Sequence, residues 1–249
     1  MKILAISDVP SKLLWDESVR RRLEGIDLIL SCGDLPKKYL EYLTNFTAAP
    51  ILYVHGNHDG SYKESEPGGC ICVDDAVYVW KGLRIMGLGG CNRYNRDDTF
   101  QYTEAEMRRR ARKLWLAARR AGGIDILLTH APASGLNDGT DKAHKGFQVF
   151  NDLMDLYQPK WFIHGHMHLN YGANLPRVCT RGGTTVINAT ERYEFEIPDP
   201  VQLIVCDASF IGLRTVLPAA LAALRQHHSR LGVQVYSGMR SEEHTSELQ

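Results

Sequence analysis

The chain lacks any apolar run near the ~18 residues that a membrane span requires, so no membrane partner is expected. It also lacks an excess of one charge: Lys plus Arg and Asp plus Glu both number 29, for a net charge of +0. No overall field therefore draws it to nucleic acid or to an anionic membrane. Cysteine is sparse, with Cys32, Cys70, Cys72, Cys91, Cys179 and Cys206 scattered through 249 residues. Cys70-Ile71-Cys72 is too tight for a zinc knuckle and has no second half, so reduced thiols are expected. Repeats, Pro/Ser/Gly linkers and a recognisable cleavable leader are missing too, which gives a cytoplasmic expectation. One stretch is set aside. RSEEHTSELQ, Arg240 to Gln249, reads as an in-frame translation of a sequencing-library adapter, so His244 carries no weight. A single domain over 1–216, followed by a segment of uncertain role over 217–239, is the expected organisation.

What is present fits an ordinary globular α/β chain, with 44% hydrophobic and 23% charged residues. The pattern predicts strand 2–7, helix 15–24, strand 27–32, helix 37–46 and strand 50–55, an alternation that argues for parallel strands covered by helices. VYVW and LRIMGL, joined by Lys81-Gly82, predict a hairpin. Thr103 and Glu106 form a capping-box pattern ahead of an apolar stripe of Met107, Ala111, Leu114, Trp115 and Ala118, which Gly122-Gly123 ends. A strand (124–128), a helix (150–157) and a strand (160–163) follow. TTVINA and VQLIVCD then suggest antiparallel strands. Two sheets with outer helices suit this order better than one doubly wound sheet.

The strand ends carry the chemistry. KILAIS runs into Asp8, and LILSC into Gly33-Asp34. ILYVH runs into Gly56-Asn57-His58-Asp59, DILLT into His130, and WFIH into Gly165-His166-Met167-His168. Open α/β sheets place ligands just past the carboxyl ends of their strands. A strand-end Asp alone is usually a helix cap, and a lone His is usually a hydrogen-bonded core or surface group. Three His, two Asp and one Asn on one rim are harder to dismiss, because unpaired they would repel or desolvate one another. A metal centre removes the conflict. Imidazole, carboxylate and amide oxygen without thiolate suit Mn2+, Fe, Zn2+ or Mg2+. Six ligands suit two metals about 3.5–4 Å apart that share a carboxylate.

This ordered series resembles the calcineurin-like metallophosphoesterase superfamily over roughly residues 1–207, with GNHD and GHMH as its most specific motifs. The resemblance implies a four-layer α/β/β/α sandwich and a hydrolase that cleaves a phosphodiester or phosphomonoester. Its cofactors would be two divalent ions, Mn2+ or Fe before Zn2+. Asp34 would bridge them, Asp8 and His168 would complete the first site, and Asn57, His130 and His166 the second. A hydroxide held between the ions would attack in line at neutral pH. His58 would face the phosphate or protonate the leaving oxygen, with Asp59 orienting its imidazole. The chain departs from the family at its first motif. Most members have Asp-x-His, whereas Asp8-Val9-Pro10 ends in a residue that cannot coordinate. A weaker or more water-ligated first metal is therefore expected, Ser7 and Ser11 being poor neutral substitutes.

Weaker signals are weighed beside these. His55 and His164 lie on the ligand side of their strands, where packing is the simpler reading and support of the ligands the sharper one. Arg93 or Arg96 could grip phosphate from a surface loop, and Asn137, Asp138 and His144 could shape a pocket mouth. The cluster Arg108 to Arg110, Arg112, Lys113, Arg119 and Arg120 reads as a solvated helix face, with no interleaved aromatics for a nucleic-acid strand. Leu221 to Leu231 reads as a short helix without assigned role. A small phosphate ester is the expected partner, and a nuclease is disfavoured by the neutral charge. The competing class is a scaffold that keeps the fold, has lost turnover and binds a protein partner. The intact His58 speaks against it and Pro10 for it.

Overall fold

The computed structural model describes residues 1–95, 99–168 and 176–198. VQLIVCD, the 221–231 helix, Cys206, Arg96 and the 240–249 tail lie outside the described residues. In chain order the first strands are β1 (Lys2–Ser7), β2 (Leu28–Ser31), β3 (Ile51–Tyr53) and β4 (Cys70–Cys72). They are followed by β5 (Ala76–Trp80), β6 (Leu83–Leu88), β7 (Cys91–Asn92) and β8 (Gln101–Tyr102). The last are β9 (Ile126–Thr129), β10 (Trp161–His164), β11 (Val178–Arg181), β12 (Thr184–Asn188) and β13 (Glu191–Glu196). The helices are α1 (Val19–Leu23), α2 (Lys37–Thr44), α3 (Glu104–Lys113), α4 (Trp115–Ala121) and α5 (Gln148–Tyr157).

β1, β2, β3, β9 and β10 are continuous apolar runs because both of their faces are covered. They fall into two sheets, β13-β1-β2-β3-β4 and β11-β12-β10-β9-β6-β5, each with a parallel centre and antiparallel strands at an edge. Ile3, Leu28 and Leu52 of one sheet pack against Ile85, Ile126 and Ile163 of the other. Leu4, Ile29 and Ile51 face Val19 of α1 and Tyr39 and Leu43 of α2. Met86, Leu127 and Phe162 face Met107 of α3, Ala118 of α4 and Phe150 of α5. Helices, sheet, sheet, helices: this is the four-layer sandwich.

The hairpin forms as the sequence implies. Lys81 (φ 46°) and Gly82 (φ 83°) make the left-handed two-residue turn that joins β5 to β6. Thr103 and Glu106 form a reciprocal capping box, and Gly122 (φ 85°) ends α4. Three expectations need correction. The 15–24 helix is reduced to α1, after a short 3-10 turn at Lys12–Leu14. Trp115 is 48% exposed under the Arg119 guanidinium rather than part of the buried stripe. TTVIN pairs antiparallel with β11, a strand the sequence did not announce, and parallel with β10. The five described cysteines are free thiols.

Candidate metal centre

The carboxyl ends of β1, β2 and β3 meet those of β9 and β10 on one rim. Two glycines permit the approach. A Cβ on Gly56 would overlap the Asp34 carboxylate, and one on Gly165 would overlap the Ser7 hydroxyl from the other sheet. The backbone turns sharply at each strand end: Asp8 (φ 63°), Asp34 (φ 56°) and His166 (φ 65°) are all left-handed non-glycine residues. Each costs about 1–2 kcal/mol, strain of a kind that collects at functional sites.

The hydrogen bonding decides what these side chains present. His130 Nδ1–H donates to the Cys32 carbonyl (2.8 Å), and His166 Nε2–H donates to the Ala143 carbonyl (2.7 Å). The remaining nitrogens, His130 Nε2 and His166 Nδ1, then point lone pairs at each other across 3.0 Å. Asn57 Oδ1 lies 3.0 Å and Asp34 Oδ2 3.3 Å from the same His130 Nε2. Ligand atoms of Asp34, His130 and His166 lie within 4.8 Å of one another. Acceptors converging in this way could hold a positive centre. Burial pushes the His130 imidazole down, but the Asp34 and Asp8 carboxylates outweigh it and raise its pKa to about 9. Burial and the His130 charge push His166 down to about 3. Burial raises Asp34, and the His130 charge and hydrogen bond more than reverse this, to about 2. Two imidazole nitrogens, a carboxylate and an amide oxygen are a donor set that fits Mn2+, Fe or Zn2+.

Asp8 stands on the other side of this group. Both its oxygens accept from the His166 main-chain N–H at 3.0 Å, and Thr190 Oγ1 lies 3.3 Å from Oδ2. Burial pushes its carboxyl upward, while the charges of His130 and of half-buried His168 favour ionisation. Ser11, next to Pro10, turns away: its N–H donates to the Tyr39 hydroxyl and its own hydroxyl to Glu191. Ser7 Oγ bonds to the Gly33 carbonyl (3.2 Å) and lies within hydrogen-bond reach of Asp8.

His58 is exposed, and its main-chain N–H donates to Asp34 Oδ1 at 2.7 Å. The role expected of Asp59, orienting that imidazole, is not what its carboxylate does. Asp59 Oδ2 accepts instead from Gly56 N (2.7 Å) and Asp34 N (2.9 Å), tying together the two loops that carry Asn57 and Asp34. Burial and the Asp34 charge raise its pKa to about 6.

Sequence reasoning missed Thr190 and Tyr94, whose hydroxyl lies 3.5 Å from Asn57 Nδ2. Neither carries a motif that would have announced it. The 137–146 loop does reach the site, through Ala143 and through the His144 ring, 5.2 Å from that of His166. Arg93 is paired with Glu106 and the Gln101 carbonyl. His164 is fully buried with Nδ1 on the Gly165 carbonyl, and burial pushes it down to about 4.

Arg110 is another correction. It is 9% exposed, not solvated, and its guanidinium binds Asp74 and Asp75.

Comparison with known proteins places the fold and the family. The family model for the calcineurin-like phosphoesterase superfamily domain matches residues 1–194. UPF0046 protein K07C11.7 of Caenorhabditis elegans is 25% identical over 217 residues, 77% of this chain and 70% of that protein. Human metallophosphoesterase domain-containing protein 1 is 34% identical over 71 residues, but these are 27% of this chain and 20% of that protein. Among solved structures, TT1561 of Thermus thermophilus superposes with a TM-score of 0.51 at 18% identity, covering 76% of this chain and 89% of that one. Another superposes at 0.57 with 14% identity, covering 78% and 93%. At these identities the two structures speak for the fold alone. No described helix is long and apolar enough to cross a membrane.

Proposed function

Because the chain belongs to the calcineurin-like phosphoesterase superfamily, we propose that it is a metal-dependent hydrolase that cleaves a P–O bond of a small cytoplasmic phosphate ester, a diester in preference to a monoester. The observation that carries this reading is the convergence of lone pairs from His130, His166, Asp34 and Asn57, beside an exposed His58. Those four residues would hold one divalent ion, and Asp8, Asp34 and His168 the other, Mn2+ or Fe before Zn2+. Bound there, the ions supply Lewis acidity and bring the pKa of water towards neutrality.

The remaining work falls to the chain. Asp34, held low by the His130 charge and hydrogen bond, stays ionised across the working pH range and would belong to both ligand sets. The Cys32 and Ala143 carbonyls fix the tautomers of His130 and His166, so that the correct nitrogens face inwards. His58 contacts a phosphoryl oxygen or gives its proton to the leaving alkoxide, an effect of ~10²–10⁴-fold for a positioned general acid. Its backbone bond to Asp34 ties the His58 main chain to that carboxylate.

The test is a panel of Mn2+, Fe2+, Zn2+ and Mg2+ with aryl phosphodiester and monoester substrates. Metal-dependent turnover is expected, faster on the diester, and His58→Ala lowers kcat by ~10²–10⁴-fold. Turnover indifferent to His58→Ala removes His58 from the mechanism. No turnover with any metal favours the protein-binding scaffold.

A further inference from the structure

Behind the loop that carries Asn57 and His58 lies a buried polar cluster that the proposed reaction does not use. Arg110 of α3 donates from Nη2 to Asp74 Oδ1 (2.7 Å), from Nε to Asp75 Oδ1 (2.8 Å) and from Nη1 to the Gly89 carbonyl (2.7 Å). Its guanidinium also lies 4.1 Å above the Tyr102 ring. Asp74 Oδ1 accepts a second bond from Gly89 N, and Asp74 Oδ2 accepts from His55 Nδ1–H at 2.8 Å. The His55 ring is stacked on Phe100 (4.2 Å, 11°), and its carbonyl accepts from Gly90 N at 2.7 Å. His55 is thus held at both ring and carbonyl, and the next N–H, that of Gly56, is held by Asp59.

We propose that Arg110, Asp74 and His55 form a positioning relay that fixes the Gly56-Asn57-His58 segment against Asp34 and His130. Two features separate it from plain packing. A buried ion pair is replaceable by apolar side chains when stability alone is at stake. This one is turned, through a single imidazole bond, towards the segment whose placement the chemistry needs. Only Gly56 separates His55 from Asn57, so a rotation of the His55 peptide moves Asn57 Oδ1 and His58 directly. Misplacement of about 1 Å is enough to cost ~10²-fold in rate. The proposal rests on the phosphoesterase reading of the same site for its rate consequence, but not for its structural one.

Two substitutions divide the ring from its hydrogen bond. His55→Phe keeps the stack on Phe100 and removes the donor to Asp74. His55→Asn removes the stack and keeps an amide donor near the Nδ1 position. The measurements are amide hydrogen exchange over residues 55–59 in the metal-free chain, and kcat and KM for an aryl phosphodiester with Mn2+. His55→Phe is expected to speed exchange at 55–59 by ~10-fold, the loss of one buried hydrogen bond, with β9 unchanged. The same variant lowers kcat by ~10²-fold while KM stays within about two-fold. His55→Asn keeps most of both. The reverse pattern, a wild-type Phe variant and a defective Asn variant, overturns the relay and leaves packing. If His55→Phe does not fold, Arg110→Lys, which keeps the charge and drops the fork, carries the same expectation at smaller size. Absence of turnover in the unmodified chain would sink the phosphoesterase reading, and the exchange arm would still decide whether the relay fixes the segment.

Discussion

The two sides of Asp34 are built on different principles. Towards β9 and β10, each imidazole has its outer N–H anchored on a backbone carbonyl, so its inner nitrogen has no choice of partner. Towards β1, the Asp8 carboxylate is engaged by the His166 N–H and lies beside the Thr190 hydroxyl, with Pro10 two residues further on. One half gathers acceptors around His130; the other gives its carboxylate a main-chain donor. The contrast teaches that a shared rim need not present its acceptors alike, because what counts is which lone pairs the protein itself engages.

The contrast can be broken most forcefully at His130. His130→Ala removes the nitrogen on which the other three acceptors converge, and Mn2+ affinity in titration calorimetry should fall by ~100-fold or more, beyond the 10–100-fold typical of an outer-sphere partner. Unchanged affinity would mean that these lone pairs are not ligands. A smaller effect, of opposite sign, is expected at Pro10. Pro10→His supplies the missing imidazole, and the weaker of two Mn2+ equivalents should tighten by about ten-fold, towards the stronger. Two equally tight sites in the unmodified chain would end the asymmetry.

The smallest effect lies away from both halves, in the relay. Burial pushes the Asp74 carboxyl up, but the His55 hydrogen bond and the Arg110 charge hold it below its ordinary 3.8. A carboxyl depressed on folding adds stability that is fully present above its unfolded value. That stability is lost as pH falls through the folded one. Denaturant midpoints should therefore decline below about pH 4, and more shallowly in Asp74→Asn than in the unmodified chain. Parallel declines would place the acid sensitivity elsewhere.

Much of this was legible beforehand, for a physical reason. Strands buried on both faces must be largely apolar, so the polar residues just past each run mark a rim. Asp8, Asp34, Asn57, His130 and His166 stand out because all of them lie at such ends. What escaped notice depends on hydrogen bonds between distant loops. Nothing in the sequence around Asp59 tells that its oxygen will meet the amide of Asp34, 25 residues away. Thr190 reaches Asp8 across 182 residues by way of the β1–β13 pairing. Arg110 was legible but misread. It lies three residues after Met107 and four before Leu114, at the edge of the apolar arc, and only the acidic turn at Asp74-Asp75 makes a cation welcome there.

The Asp59 carboxylate, clasping two amides at once, has a consequence for how a metal arrives. The Asp34 and Asn57 loops are joined through the protein's own hydrogen bonds. A cation bound there would not have to gather a slack chain, and little disorder would remain to be lost on binding.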